Sequence, residues 1–401
     1  MRTKSLVIQM LSTTFVLALA WLAVGLAAGP SGAQDAGPVV RLGAIFPLSG
    51  GAAASGVWYQ RGFEMGVDEV NARGGVDGIK FKAVLEDHQT QPAVAVMAFR
   101  KLVNVDKAPI VSLSWSSPTL AVLPIADQTQ TLVLVGAANS PRLINAGKYL
   151  LANLANAGFE AEVGLKYMSK VLHLQKLAII YRNDDFGNGL REHVEPMWKQ
   201  MGGTVVAVEG HDPAAQDFTS LVAKIKVASP QFIYLASSAA NQGILVKQLR
   251  EGGATQRLMS YLGFEVPEIL SVAGDAAEGA LYTTSANPIG TAAFEEYRAR
   301  FKQRYGEEPR NFANLQYEMI QHVARATKAL KDRRLALTGK NYRDVFLEIR
   351  EFDGILGKTK YRDDGSSVRP QDLKMVKGGK FVTFLTAKEL QDKGVIDFGM
   401  K

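Results

Sequence analysis

The feature that most constrains this chain is an alternation of strand-like apolar runs with helical stretches, begun at Val39 and begun again past the middle of the first half. "VVRLGAIF", "IKFKAVLE", "PIVSL", "TLVLVG" and "KYLLANL" have strand character, and "VWYQRGFEMGVDEVNARG", "PAVAVMAFRKLVNV" and "PTLAVLPIADQTQ" separate the first four. In the first helical stretch Phe63, Val67 and Val70 recur at three- and four-residue spacing, which gives one buried face. After a linker-like "ANLANAGFEAE" the pattern restarts with "KLAIIY", "GTVVAVE", "QFIYLAS" and "RLMSYLG", again interleaved with helical stretches. Such alternation produces mostly parallel sheets covered by helices on both faces, here in two α/β lobes. No internal repeat is visible at the level of residues. Residues 291–332 are mainly helical, and from Phe352 short pieces and tight turns (Asp364-Gly365, Gly378-Gly379) form a tail expected to close over the two lobes.

Composition limits the function classes. The chain has 401 residues, 47% of them hydrophobic, which is globular and long enough for two domains. Residues 1–33 read as a signal peptide: Arg2 and Lys4 precede the uncharged "LSTTFVLALAWLAVGLAAG", and Ser31 and Ala33 stand at the −3 and −1 positions of a cleavage site. An uncleaved anchor is the rival, because the apolar stretch approaches the roughly 20 residues of a spanning helix. The chain contains no cysteine, which excludes disulfides, a thiol-linked lipid and cysteine-ligated metals. An exported, disulfide-free, two-domain protein fits a bacterial periplasm. The net charge of +7 falls to +5 once Arg2 and Lys4 are removed, and the basic residues are scattered among acids, so nucleic acid is not an expected partner.

The chemistry-bearing candidates are few. His88, His173, His193, His211 and His322 show no metal-binding spacing, and neither a metal nor another cofactor is expected. "SLSWSSPT" places Ser116 and Ser117 where a strand hands over to a helix. The stretch lacks the glycines of a nucleophile elbow, and Pro118 favours a helix start at which Ser116 or Ser117 caps. Free amides and hydroxyls at such a start can also cradle an anion. A secreted serine hydrolase would need a base on Ser116, for which His88 is the one candidate. "NDDFGNG" contains the letters D-F-G without any phosphate loop, so Asp184 and Asp185 read as helix caps.

Several stretches together resemble a family: "LGAIFPLSGGAAASG", "GFEMGVDEVNARGGVDG", "SSPTLAVLPIAD", "GAANSPRL", "LAIIYRNDDFGNGL" and "AGDAAEGALY" are similar, in order and spacing, to the periplasmic leucine/isoleucine/valine-binding proteins. The resemblance runs from about Val39 to Lys380. It implies a two-lobed type I binding-protein fold with three crossover segments, lobe 1 spanning 39–155 plus 285–365 and lobe 2 spanning 156–284 plus 366–390. It implies a non-enzymatic, monomeric solute receptor in the periplasm, serving the permease of an ABC importer in the inner membrane or signalling to a membrane receptor. The ligand-binding residues it implies are Ser116 for a carboxylate, Trp115 beside it, Ala137, Ala138 and Asn139 from the next strand end, and Phe186 closing from the second lobe. Ser238 falls where an aromatic is common. The acid that pairs with a ligand ammonium falls on Leu262 without gaps and on Glu265 only with a local one. A branched-chain amino acid is the first expectation for ligand and an aromatic or other non-amino carboxylate the second. Trp58 and Tyr59 are further aromatics within reach of the cleft.

Overall fold

In the computed structural model the described residues are 37–237, 239–286 and 291–398; the expected signal peptide and Ser238 lie outside them. The first sheet contains β1 (Val39–Phe46), β2 (Lys80–Asp87), β3 (Ile110–Ser114), β4 (Leu132–Ala137) and β5 (Leu150–Ala152) in the order β2-β1-β3-β4-β5. β1, β3, β4 and β5 run parallel, which is why every residue of β3 and β4 is buried. Helices α1 (Ala53–Ala72), α2 (Pro92–Asn104) and α3 (Ser116–Thr129) connect these strands.

The second sheet has seven strands in the order β15-β14-β10-β9-β8-β6-β7. Its parallel part is β6 (Lys176–Arg182), β7 (Thr204–His211), β8 (Phe232–Ala236), β9 (Arg257–Ser260) and β10 (Leu281–Ser285). Helices α4 (Ala157–Lys170), α5 (Asp185–Gln200), α6 (Thr219–Ala228), α7 (Ala239–Glu251) and α8 (Pro267–Ala273) accompany it. The chain then returns to the first lobe through α9 (Ala292–Tyr305), α10 (Asn311–Asp332) and α11 (Gly339–Ile349). Helix α10 lies close along α1: a Cβ on Gly62 would meet the Ala313 carbonyl at 2.1 Å, and one on Gly66 would meet Ile320 at 2.8 Å. No described helix is long and apolar enough to cross a membrane.

The tail is built into the sheets. After a small antiparallel sheet of β11 (Glu351–Gly354), β12 (Gly357–Tyr361) and β13 (Ser367–Val368), strand β14 (Gln371–Lys377) extends the second sheet antiparallel to β10 and β15 (Lys380–Leu385) pairs antiparallel to β14, before a last helix α12 (Ala387–Asp392). The linker-like stretch is half helix. The Asn156 side chain accepts from Gly158 N at 2.8 Å and starts α4 inside what reads locally as loop. Residues Val40–Lys401 form one compact unit, and the strand ends of both sheets border one cleft within it.

Candidate functional site

Ser116 does not cap its helix. Helix α3 begins at Ser116 itself, and the cap position is taken by Trp115, with φ +65° and no side-chain cap bond. A left-handed backbone at a bulky residue is strained and is held by its surroundings. Here Trp115 N donates to Ala137 O at 2.9 Å, tying the end of β3 to the end of β4. The Ser116 hydroxyl is thereby turned to the next loop, where it accepts from Ser140 N at 3.3 Å. With Ser117, it lines a half-open cavity of about 70 Å³. The first-turn amides of a helix have no intrahelical carbonyl to bind, so this wall can accept an anion.

Ala137, Ala138 and Asn139 line the same cavity from the end of β4. From the second lobe come Phe186, Leu262 and three residues the sequence reading did not single out for the cleft: Arg182, Asp184 and Tyr261. Gly187 explains the closeness of this wall, since a Cβ there would meet the Arg182 carbonyl at 1.9 Å. Helix α5 can therefore start directly over the end of β6, with Asp184 accepting from Gly187 N at 2.9 Å. Asp184 also forms an ion pair with the buried Arg182 guanidinium. That guanidinium lies 5.1 Å from the Trp115 ring, a cation–π contact between lobes. Phe186 and Tyr261 pack with centroids 4.6 Å apart, and Tyr59 meets Phe312 edge-on at 5.1 Å. Tyr59 thus lines the cavity, whereas its neighbour Trp58 stacks on Phe301 and Arg310 away from it.

The two candidates for an ammonium partner are placed differently. Leu262 lines the cavity. Glu265 is held by Lys374 at 2.5 Å and borders a separate cavity with Phe294 and Arg298. An acid that the sequence reading left inside a linker is Glu160, fully buried behind the cleft. Its Oε2 accepts from Leu262 N at 2.9 Å, and its Oε1 faces Asn139 Nδ2 at 3.4 Å. Burial pushes its carboxyl up to about 8, against the lowering effect of the Leu262 and Asn139 bonds.

Among the described residues no base stands on Ser116. His88 Nε2 lies 3.1 Å from Ser114 Oγ, and its Nδ1 accepts from Thr90 N at 2.8 Å. Burial drives its pKa down to about 4, so it is a neutral structural imidazole. In the second lobe His211 Nε2 lies 2.9 Å from Ser237 Oγ, and both pairs are separated by 26 positions. Each imidazole at the end of one strand reaches a serine at the end of another, so the lobes share a residue-level device that the sequence does not reveal.

The lobes also meet at the rim. Ser140 Oγ donates to Asp185 O at 2.9 Å, and Arg142 pairs with Asp185 at 3.0 Å and Glu192 at 2.8 Å. These ions are more than a third exposed, so the latch contributes about 0.2–1 kcal/mol to closure. Arg142→Ala should weaken ligand binding by no more than about fivefold at low salt, and calorimetry in about 0.5 M salt should erase the difference.

Comparison with known proteins agrees with this architecture. Residues 39–380 match the family model described as "Periplasmic binding protein". An amino acid binding protein of Pseudomonas aeruginosa is 30% identical over 297 residues, covering 72% of this chain and 78% of that one. The crystal structure of a leucine-binding protein, LivK, from Thermotoga maritima superposes with a TM-score of 0.78 at 21% identity, covering 86% of this chain and 97% of that one. A solute-binding protein of an ABC transporter from R. palustris, crystallised with benzoate, gives 0.77 at 20% identity, covering 87% and 96%. With two α/β lobes, a cleft at their strand ends and this match over residues 39–380, this chain belongs to the periplasmic binding proteins, the non-catalytic solute receptors of ABC importers related to the leucine/isoleucine/valine-binding type.

Proposed function

We propose that this receptor captures a small organic carboxylate with a flat or apolar body and no ammonium group. The observation that carries this reading is the charge inside the cleft. The charged side chains lining it are Arg182 and Asp184, and Asp184 is already engaged by Arg182 and by Gly187 N. Leu262 stands where the family resemblance puts an ammonium-binding acid, and Glu265 is spent on Lys374. A buried ammonium would lose several kcal/mol of hydration without a carboxylate to replace it. A carboxylate instead finds the α3 start and the Ser116 hydroxyl, beside the cationic end of the Arg182–Asp184 pair, between walls of Trp115, Phe186, Tyr261, Tyr59 and Phe312. The R. palustris protein crystallised with benzoate supports such a ligand in this fold.

The branched-chain amino acids are the second reading, favoured by the names of the relatives. Lobe limits of 39–155 plus 285–365 and 156–284 plus 366–390, cleavage of residues 1–33, delivery to an inner-membrane permease and action as a monomer complete the proposal. Thermal unfolding with millimolar benzoate or leucine separates the two ligands. A bound ligand at about 100 times its dissociation constant adds about 2.7 kcal/mol and raises the melting point by a few degrees. Benzoate is expected to do so and leucine not; stabilisation by leucine alone would overturn the reading.

A further inference from the structure

The Asn139–Glu160 pair joins the ligand wall to an acid that the ligand does not touch. Glu160 projects from the first turn of α4, and its carboxyl is wholly buried between Asn139 of the first lobe and Leu262 of the second. Leu262 N fixes the role of Oε2 as an acceptor. The other oxygen faces the Asn139 amide, and Asn139 in turn lines the cavity. The two ends of an amide have opposite hydrogen-bonding character and exchange places by a half-turn. When the carboxyl is ionised, Asn139 Nδ2 donates to Oε1 and Oδ1 is left for the ligand. When it is protonated, Oε1–H donates to Asn139 Oδ1 and the NH₂ is left for the ligand.

We propose that Glu160 is a positioning residue whose protonation sets which end of the Asn139 amide faces the ligand, so that the protonated receptor selects carboxylates. The inference rests on the carboxylate reading above. Among the described residues no ion pair reaches this acid: burial raises its pKa, and the bonds from Leu262 and Asn139 oppose that rise. Tyr234 of β8 and Tyr261 after β9 interact electrostatically with it, and burial pushes both phenols up, so neither ionises near neutrality. On the elements packed against α4, the titratable groups are Asp185, Arg191, Glu192, His193, Glu195 and Lys199 of α5, of which His193 lies against Gly158, Arg257 of β9, Tyr282 of β10, and Asp372, Lys374 and Lys377 of β14. Lys374 is paired with Glu265, and Asp372 accepts from Ala387 N. β10 contributes the Thr283 hydroxyl, which donates to the Glu160 backbone carbonyl at 3.0 Å. Burial holds Glu160 protonated at neutral pH, and the population that presents the NH₂ declines as the pH rises through about 8.

Calorimetric titration with benzoate across pH 6.5–9.5 tests this. If only the protonated receptor binds, the apparent dissociation constant rises by up to about thirtyfold over that range in the wild type. In Glu160→Gln the amide mimics the protonated acid, and the ratio should be close to one. A flat wild-type profile, or the same slope in both proteins, would overturn the inference while leaving the carboxylate reading intact. Selective ¹⁵N-asparagine labelling reads the switch without ligand. The Asn139 side-chain amide should titrate with a midpoint near 8 in the wild type and not in Glu160→Gln. If benzoate fails to bind at any pH, the carboxylate reading falls and this resonance alone decides the inference: a titration absent from Glu160→Gln supports it, and an invariant signal overturns it.

Discussion

Arg369→Met is expected to lower the free energy of unfolding by about 3–5 kcal/mol. Arg369 occupies the short passage from β13 to β14 and is 1% exposed. Its Nη2 bonds to Glu318 Oε1 and to Thr359 Oγ1. Glu318, on α10 and 0% exposed, also accepts from Leu356 N at 2.7 Å through Oε2. The pair thus pins the helix of one lobe to the strand that enters the sheet of the other. Removing the guanidinium leaves a carboxylate buried with only neutral donors, and an uncompensated buried charge is far costlier than a neutral replacement of both partners. The double variant Glu318→Leu/Arg369→Met should therefore recover most of the loss. Urea unfolding at neutral pH measures both. A single-variant loss below about 1 kcal/mol, or a double variant no better than the single, would show that the pair is not the clamp described.

For ligand binding the largest effect is expected at Arg182. Arg182→Gln removes the cation that lines the cleft and leaves the Asp184 carboxylate facing it without its partner. A hydrogen bond to a charged group contributes about 1.5–3 kcal/mol, and the uncovered acid adds repulsion, so benzoate affinity should fall by roughly 100-fold. The same uncovered acid can receive an ammonium, so leucine should bind the variant no worse than the wild type. Ser116→Ala removes one neutral donor and should cost benzoate about tenfold. Calorimetry on each variant, with unchanged circular dichroism, supplies the comparison. An equal loss for benzoate and leucine in Arg182→Gln would mean that the residue acts through packing on Trp115. Unchanged benzoate affinity in Ser116→Ala would remove the serine from the anion cradle.

Local pattern determined a good deal of this protein. Alternating strand and helix periodicity imposes two parallel-sheet lobes, and parallel strands place their carboxyl ends along one edge, so Ser116, Ala137, Asn139 and Phe186 reach one cleft because each ends or follows a strand. What the sequence could not convey are the contacts between distant segments. Glu160 reads as linker until Asn156 starts a helix there, and its partner Leu262 is 102 positions away. Arg182 directly follows the strand-like "KLAIIY" and nothing local marks it; only closure over Trp115 makes it the cation of the cleft. Glu265 and Leu262 are three residues apart, and the short helical turn at Leu262–Phe264 sends one to Lys374 and the other to the ligand wall. Periodicity records which face of an element is buried, because burial repeats with the backbone. It carries no record of which buried polar group meets which, because that depends on how the crossovers bring separate strand ends together in space.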